Sequence, residues 1–177
     1  KSVVLAALKS SKRKIDTLMM QDSMFDDYYE YVDNPQYKVS KENRVFFSKL
    51  KKLLELDDEI RLGSQSKMKL NEFTANRPHQ GVVMKASKLN LVMIQEIPSP
   101  TKKNAVWLAL DEVVDPQNLG ALIRTSNFLG IEGVLMSSKN TAPLSSTVSR
   151  ASAGSLETME NLYATKNLPK TLKRADE

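Results

Sequence analysis

The chain has no cysteine and a single histidine, His79, among its 177 residues. Disulfides and thiolate metal sites are thereby excluded, and so is any metal site built from several histidines. Neither a G-x-G-x-x-G run nor a phosphate-binding G-x-x-x-x-G-K-[ST] run occurs, so ordinary dinucleotide or ATP binding lacks its main support. A nucleophile-elbow serine is also missing, and a Ser-His-Asp triad would rest on His79 alone. No apolar run approaches the ~18 residues that a membrane span needs, and no signal-peptide pattern opens the chain.

What is present is an ordinary globular composition, 41% hydrophobic and 27% charged, long enough for one large or two small domains with real cores. The net charge is +5 and the pI about 9.3, which permits an acidic partner such as RNA without proving one. Residues 1–100 carry 17 Lys/Arg against 13 Asp/Glu, and 101–177 carry 9 against 8. Most of the excess positive charge therefore lies in the front part.

Along the chain, the apolar stretch Ser2–Leu8 leads into a basic cluster, Lys12-Arg13-Lys14, and then into a strand over Ile15–Met20. Such a cluster can grip phosphates by releasing counterions, or be a solvated helix end. Residues 22–40 interleave Asp22, Asp26, Asp27, Glu30 and Asp33 with Phe25, Tyr28, Tyr29, Tyr31 and Tyr37. Aromatics can stack on bases, but this much acid repels a phosphate backbone, so a partly mobile surface insertion is expected. Val45, Phe46, Leu50, Leu53 and Leu54 mark the apolar face of a helix, with Lys49, Lys51 and Lys52 on its wet side. A strand over Glu59–Leu62, a short helix over Lys67–Phe73 and a strand over Gly81–Ala86 follow. His79 and Gln80 lie in the polar turn 76–81 between the last two, where a lone histidine is more often a turn residue than a catalyst.

The alternation of strands and helices predicts a compact α/β domain over 1–96. The two prolines and missing apolar run of 97–104 predict a linker, and 105–177 a second domain. That second domain reads strand (Val106–Leu110), polar turn (Asp115-Pro116-Gln117-Asn118), helix, strand (Gly133–Met136). This is a βαβ unit and implies a parallel sheet. Asn118 suits the helix N-cap, and Gly130 the helix end. A second helix over Thr147–Met159, a third strand over Asn161–Ala164 and a helix over Leu168–Asp176 complete it. Ligands of such sheets bind at the carboxyl ends of the strands, where Asn118 sits and from which Arg124 follows on the departing helix. Gly120, Ala121 and Arg124 share a helical face, so either another backbone or a ligand can approach closely there.

The run Asp115–Gly130 (DPQNLGALIRTSNFLG) resembles the first signature motif of the SpoU/TrmH class of SPOUT RNA methyltransferases. Val148–Glu157 (VSRASAGSLE) is similar to the helix that follows in that class. His79–Val83 (HQGVV) and Ser2–Ile15 resemble the end and start of its N-terminal, L30e-like substrate-binding domain. The resemblance implies an L30e-like α/β domain followed by the first half of a Rossmann-like SPOUT domain whose knot-forming C-terminal part is absent. It also implies S-adenosylmethionine-dependent 2′-O-methylation of a ribose, that of a guanosine in large-subunit ribosomal RNA, by homodimers. The mitochondrial large-subunit enzymes are the most similar group, which places the protein in the mitochondrial matrix, or in the cytoplasm if bacterial. Neither a membrane nor a metal is implied.

The catalytic positions carried over are Arg124 and Asn118. Lys12, Arg13, Lys14, His79, Gln80 and Arg150 are the RNA-binding candidates. The class's cofactor motifs would lie beyond Glu177, so the chain is expected to be part of a longer protein and inactive alone. The alternatives are a non-catalytic RNA-binding or ribosome-associated module, and an unrelated nucleotide-binding α/β enzyme.

Overall fold

A computed structural model describes residues 1–57, 59–101 and 103–175. The chain forms two compact units, 1–87 and 88–177. The division at Ser87/Lys88 corrects the boundary expected at 97–104. Val92–Met93 forms a short strand, β4 in chain order, that pairs in parallel with a strand near the C-terminus. Residues 88–96 thus belong to the second unit. The proline-rich stretch is irregular where described, but it is a loop within that unit; Lys102 lies outside the described residues.

The first unit runs α1 (Ser2–Lys9), β1 (Ile15–Gln21), α2 (Asp22–Asp33), α3 (Lys41–Leu54), β2 (Arg61–Gln65), α4 (Lys67–Phe73) and β3 (Val82–Ala86). Its sheet has the order β2-β1-β3, with β2 parallel and β3 antiparallel to β1. The central strand buries Leu18 and Met20 completely, against Phe47 and Leu50 of α3. Ser40 caps α3 by accepting from the Asn43 amide, and Lys51 and Lys52 complement the dipole in its last turn. Val45, expected inward, is exposed, and Phe47 takes the inner place.

The acidic, aromatic stretch is not a loose insertion. Its first twelve residues are α2, whose Met24 and Tyr28 are one turn apart and buried in the same core. Tyr28 meets Phe47 edge-on with ring centroids 5.4 Å apart. Burial, reinforced by the charges of Tyr29 and Glu55, pushes the Tyr28 hydroxyl up to about 12. The return segment is pinned by Arg44, which donates to the carbonyls of Pro35 and Tyr37. The acids looked like an insertion because they populate the helix's outer face.

The second unit adds β5 (Trp107–Leu110), α5 (Pro116–Phe128), β6 (Gly133–Ser137), α6 (Ser146–Ala151), α7 (Ser155–Thr158), β7 (Asn161–Thr165) and α8 (Leu168–Ala175) to β4. All four strands are parallel, in the order β4-β7-β6-β5. The parallel sheet is therefore as expected but one strand larger, because two residues are too few to register as a strand in the sequence. One face of the sheet packs Leu110, Val134, Met136 and Leu162 on Leu119 and Ile123 of α5, with Val148 and Leu156. On the other face, the rings of Trp107 and Tyr163 stack at 5.9 Å beside Gly133.

In the first unit, β2 runs Arg61–Gln65 rather than over Glu59–Leu62, and two expectations for the helices of the second unit are also corrected. The helix N-cap is Asp115, whose carboxylate accepts from the Gln117 amide at 2.8 Å with Pro116 at the first helical position. Asn118 sits in the first turn instead. The expected helix over Thr147–Met159 is two short helices, because Ala153 and Gly154 turn left-handed, with φ of 52° and 99°. The last helix is as expected to Ala175; Asp176 lies outside the described residues.

Candidate functional site

β5 ends at Leu110, and a four-residue loop carries the chain to the cap of α5, Asp115, at the carboxyl edge of the sheet. Gly120 lies beneath α6: a Cβ there would stand 2.4 Å from the Ala151 Cβ and 2.8 Å from the Val148 carbonyl. Of the two readings of this small-residue face, the close approach of another backbone is the one the structure adopts. That contact clamps α5 at its second turn. It leaves Arg124, one turn further on, outside the α5/α6 seam and exposed.

Arg124 forms no hydrogen bond or ion pair among the described residues, so its guanidinium is available to a ligand. Asn118 is exposed too. The two are six residues apart, which is about 9 Å along the axis and about 120° around it. They share a helix but not a face, so a substrate that meets both must wrap the first turns of α5.

The RNA-binding candidates of the first unit are not brought together. Lys12, Arg13 and Lys14 lie just before β1, beside the end of β3: Arg13 donates to the Ser87 carbonyl and the Lys14 amide to the Ser87 hydroxyl. Lys14 also faces Glu59 at 3.6 Å. His79 and Gln80 lie before β3, at the other end of the same strand pair, where Gly81 accepts from the amide of Gln21. Seven residues of β1 separate the two groups, about 23 Å of strand.

Both nitrogens of His79 are spent inside the protein. Nδ1 accepts from the Gly81 amide at 3.2 Å, and Nε2 lies 3.0 Å from Asn71 Oδ1. The amide bond places the ring proton on Nε2, so His79 ties α4 to the start of β3. The Gln80 side chain accepts from the amino group of Lys1 at 2.8 Å. Arg150 is exposed in the last turn of α6.

The sequence reading missed a basic cavity of about 440 Å³ at the carboxyl ends of β4 and β7, walled by α8. Lys166, Lys170 and Arg174 line it, with Met93, Ile94 and Gln95 opposite. Their four-residue spacing was the available signal. S-adenosylmethionine carries a sulfonium and an ammonium against a single carboxylate, and that net positive charge does not suit a chamber lined by three cationic side chains.

An open parallel sheet crossed by helices, with polar groups gathered at the carboxyl ends of its strands, defines an α/β protein of the ligand-binding kind. The family within that class is specific: residues 105–177 match the SpoU rRNA Methylase family, which makes that part of the chain a SpoU methylase domain. The mitochondrial rRNA methyltransferase 1 of Schizosaccharomyces pombe is 31% identical over 91% of this chain and 55% of that protein. A 23S rRNA (guanosine-2′-O-)-methyltransferase of Neisseria meningitidis is 33% identical over 68% of this chain and 48% of that protein. The chain thus spans about half the length of these curated relatives. Among solved structures, the AdoMet-bound rRNA methyltransferase of Sinorhizobium meliloti superposes with a TM-score of 0.63 at 21% identity. That superposition covers 93% of this chain and 52% of that one, and it shows a shared fold.

Proposed function

We propose that this chain is the RNA-facing portion of an rRNA methyltransferase that modifies a ribose 2′-hydroxyl, that of a guanosine in large-subunit ribosomal RNA. The observation that carries the reading is Arg124: a charged side chain inside the Asp115–Gly130 motif, exposed on α5 and without an ion-pair partner among the described residues. A ribose hydroxyl is a poor acid, and negative charge builds on its oxygen as that oxygen becomes a nucleophile. A guanidinium stays protonated and cannot serve as the base. Arg124 instead donates hydrogen bonds to the hydroxyl and a neighbouring phosphate, orienting the oxygen and stabilising its developing charge. Asn118 hydrogen-bonds substrate or a partner subunit from the first turn. Contact with the 2′-oxygen also separates RNA from DNA.

The methyl donor in this reading is S-adenosylmethionine. The basic cavity does not suit it, so none of the described residues is assigned to hold it. The first unit, L30e-like in this reading, binds RNA through Lys12, Arg13 and Lys14, with Arg150 contributing from the second unit. His79 and Gln80 shape the turn before β3. The mitochondrial names of relatives support the mitochondrial matrix as its compartment, and the working form is a homodimer.

Replacing Arg124 with alanine in the intact gene product tests the central role. Methylation should fall by about 10²–10³, the usual cost of one charge-stabilising donor, while RNA affinity changes by less than about threefold. Retained turnover rejects the role. Calorimetric titration of the 177-residue chain with S-adenosylmethionine should show no heat of binding; micromolar affinity would place the cofactor site within this chain after all.

A further inference from the structure

The basic cavity is formed where β4 and β7 end and α8 begins. Its wall is ordered by contacts internal to the second unit. Asn167 accepts from the Lys170 amide at 3.0 Å, and the buried hydroxyls of Thr165 and Thr171 meet at 2.8 Å. Arg174 is partly engaged, lying 3.5 Å from Glu96 and donating to the Gln95 carbonyl at 3.4 Å. The Lys166 and Lys170 side chains, by contrast, form no ion pair or hydrogen bond among the described residues. Among the described residues, then, two ammonium groups without a carboxylate partner face a chamber whose third cation is only partly neutralised by Glu96.

The position matters as much as the charge. In a parallel sheet all four strands point their carboxyl ends the same way, so this cavity lies along the same edge as the α5 cap and Asn118. From β7 to β5 is two strand spacings, about 10 Å. The wall contributed by the end of β4 and the residue after it is aliphatic, with Met93 and Ile94, and none of the described residues lining the chamber is aromatic. A mononucleotide site would be expected to offer a platform for its base; compact ammonium charges without one suit a phosphate group.

We propose that Lys166, Lys170 and Arg174 hold a backbone phosphate of the RNA strand, a short distance along the sheet edge from the sugar addressed by α5. This subsite rests on the reading of the chain as an RNA-modifying protein, and it adds a contact that orients the strand without reading its sequence.

The experiment is a fluorescence-anisotropy titration of the chain with a short single-stranded RNA over a range of salt. Wild type is compared with K166A/K170A and with the charge-keeping K166R/K170R. Both lysines are exposed, so thermal melting should be unchanged in all three. The alanine pair is expected to bind about tenfold more weakly, the usual cost of losing charge-assisted contacts. Its salt slope should fall by about 0.7, the value of one single-strand phosphate, and the arginine pair should restore both.

Wild-type binding with no change of affinity or slope in the alanine pair overturns the subsite while leaving the proposed function standing. Wild type that binds no RNA overturns both. Guanosine monophosphate or inorganic phosphate competing at the concentration at which RNA binds makes this a small-anion site and overturns the RNA assignment.

Discussion

A methyl group added at Gly120 sets two effects of opposite sign against each other. In the middle of an exposed helix, glycine to alanine is worth about 1 kcal/mol of stabilisation from backbone entropy alone. Here the new Cβ would stand 2.4 Å from the Ala151 Cβ, 2.8 Å from the Val148 carbonyl and 3.0 Å from the Ser152 amide. Two of those three neighbours are backbone atoms, of α6 and of its C-cap residue Ser152, so no rotamer change can relieve them. Overpacking of this kind costs about 1–3 kcal/mol and occasionally more, and α5 would have to lift off α6. The net effect of Gly120→Ala should be a loss of about 1–2 kcal/mol, which for a chain of this size lowers the melting temperature by roughly 2–8 °C. Urea unfolding followed by circular dichroism measures it. The double variant Gly120→Ala/Ala151→Gly removes the Cβ–Cβ contact but leaves the carbonyl and amide in place, so rescue should be partial. A single variant more stable than wild type would refute the packing account of the α5/α6 seam. Complete rescue by the double variant would show that the backbone contacts carry none of the cost.

At Gly133, an added Cβ would meet the ring of Trp107, the sole tryptophan, at 2.4 Å. Gly133→Ala should push that ring off Tyr163, seen as a red-shifted tryptophan emission; an unchanged spectrum would mean that the stack does not depend on the glycine. Asp16 is held at about 2, below its ordinary 3.8, first by a hydrogen bond from Lys85 and then by one from Arg61. A depressed carboxyl contributes stability that is present above 3.8 and lost as the pH falls towards 2. Asp16→Asn should therefore flatten the stability–pH curve over that window, and the difference should narrow in high salt because the pair is exposed; urea midpoints measured from pH 5 to 2 decide it, and parallel curves would contradict the assignment. Reversing the charges of Lys12, Arg13 and Lys14 should weaken RNA binding and lower its salt slope. An unaltered slope would clear that cluster of involvement.

The sequence by itself determined the local elements and the family. Apolar spacing of two or three-to-four residues, the Asp-Pro turn and Gly130 each act within a few positions, so β5, α5 and β6 were legible, as was the parallel arrangement that a βαβ unit imposes. The SpoU motif singled out Arg124 for the same reason: its residues are contiguous in the chain.

What only the tertiary structure decided involves partners distant in sequence. A helix over Asp22–Asp33 that buries Tyr28 is stabilised by Phe47, nineteen positions on from Tyr28, and its acids alone suggested a partly mobile surface insertion. The strand Val92–Met93 exists because Asn161–Thr165 offers it a ladder, since two residues have no periodicity of their own. The cap at Asp115 rather than Asn118 is, by contrast, a local matter, because the adjacent Pro116 suits the first helical position. The separation of Lys12–Lys14 from His79 by the length of a strand, and the gathering of Lys166, Lys170 and Arg174 around a cavity with the end of β4, follow from how the chain is folded back on itself. Charge clusters and lone histidines have no period that reports their neighbours in space, so their roles waited for the fold.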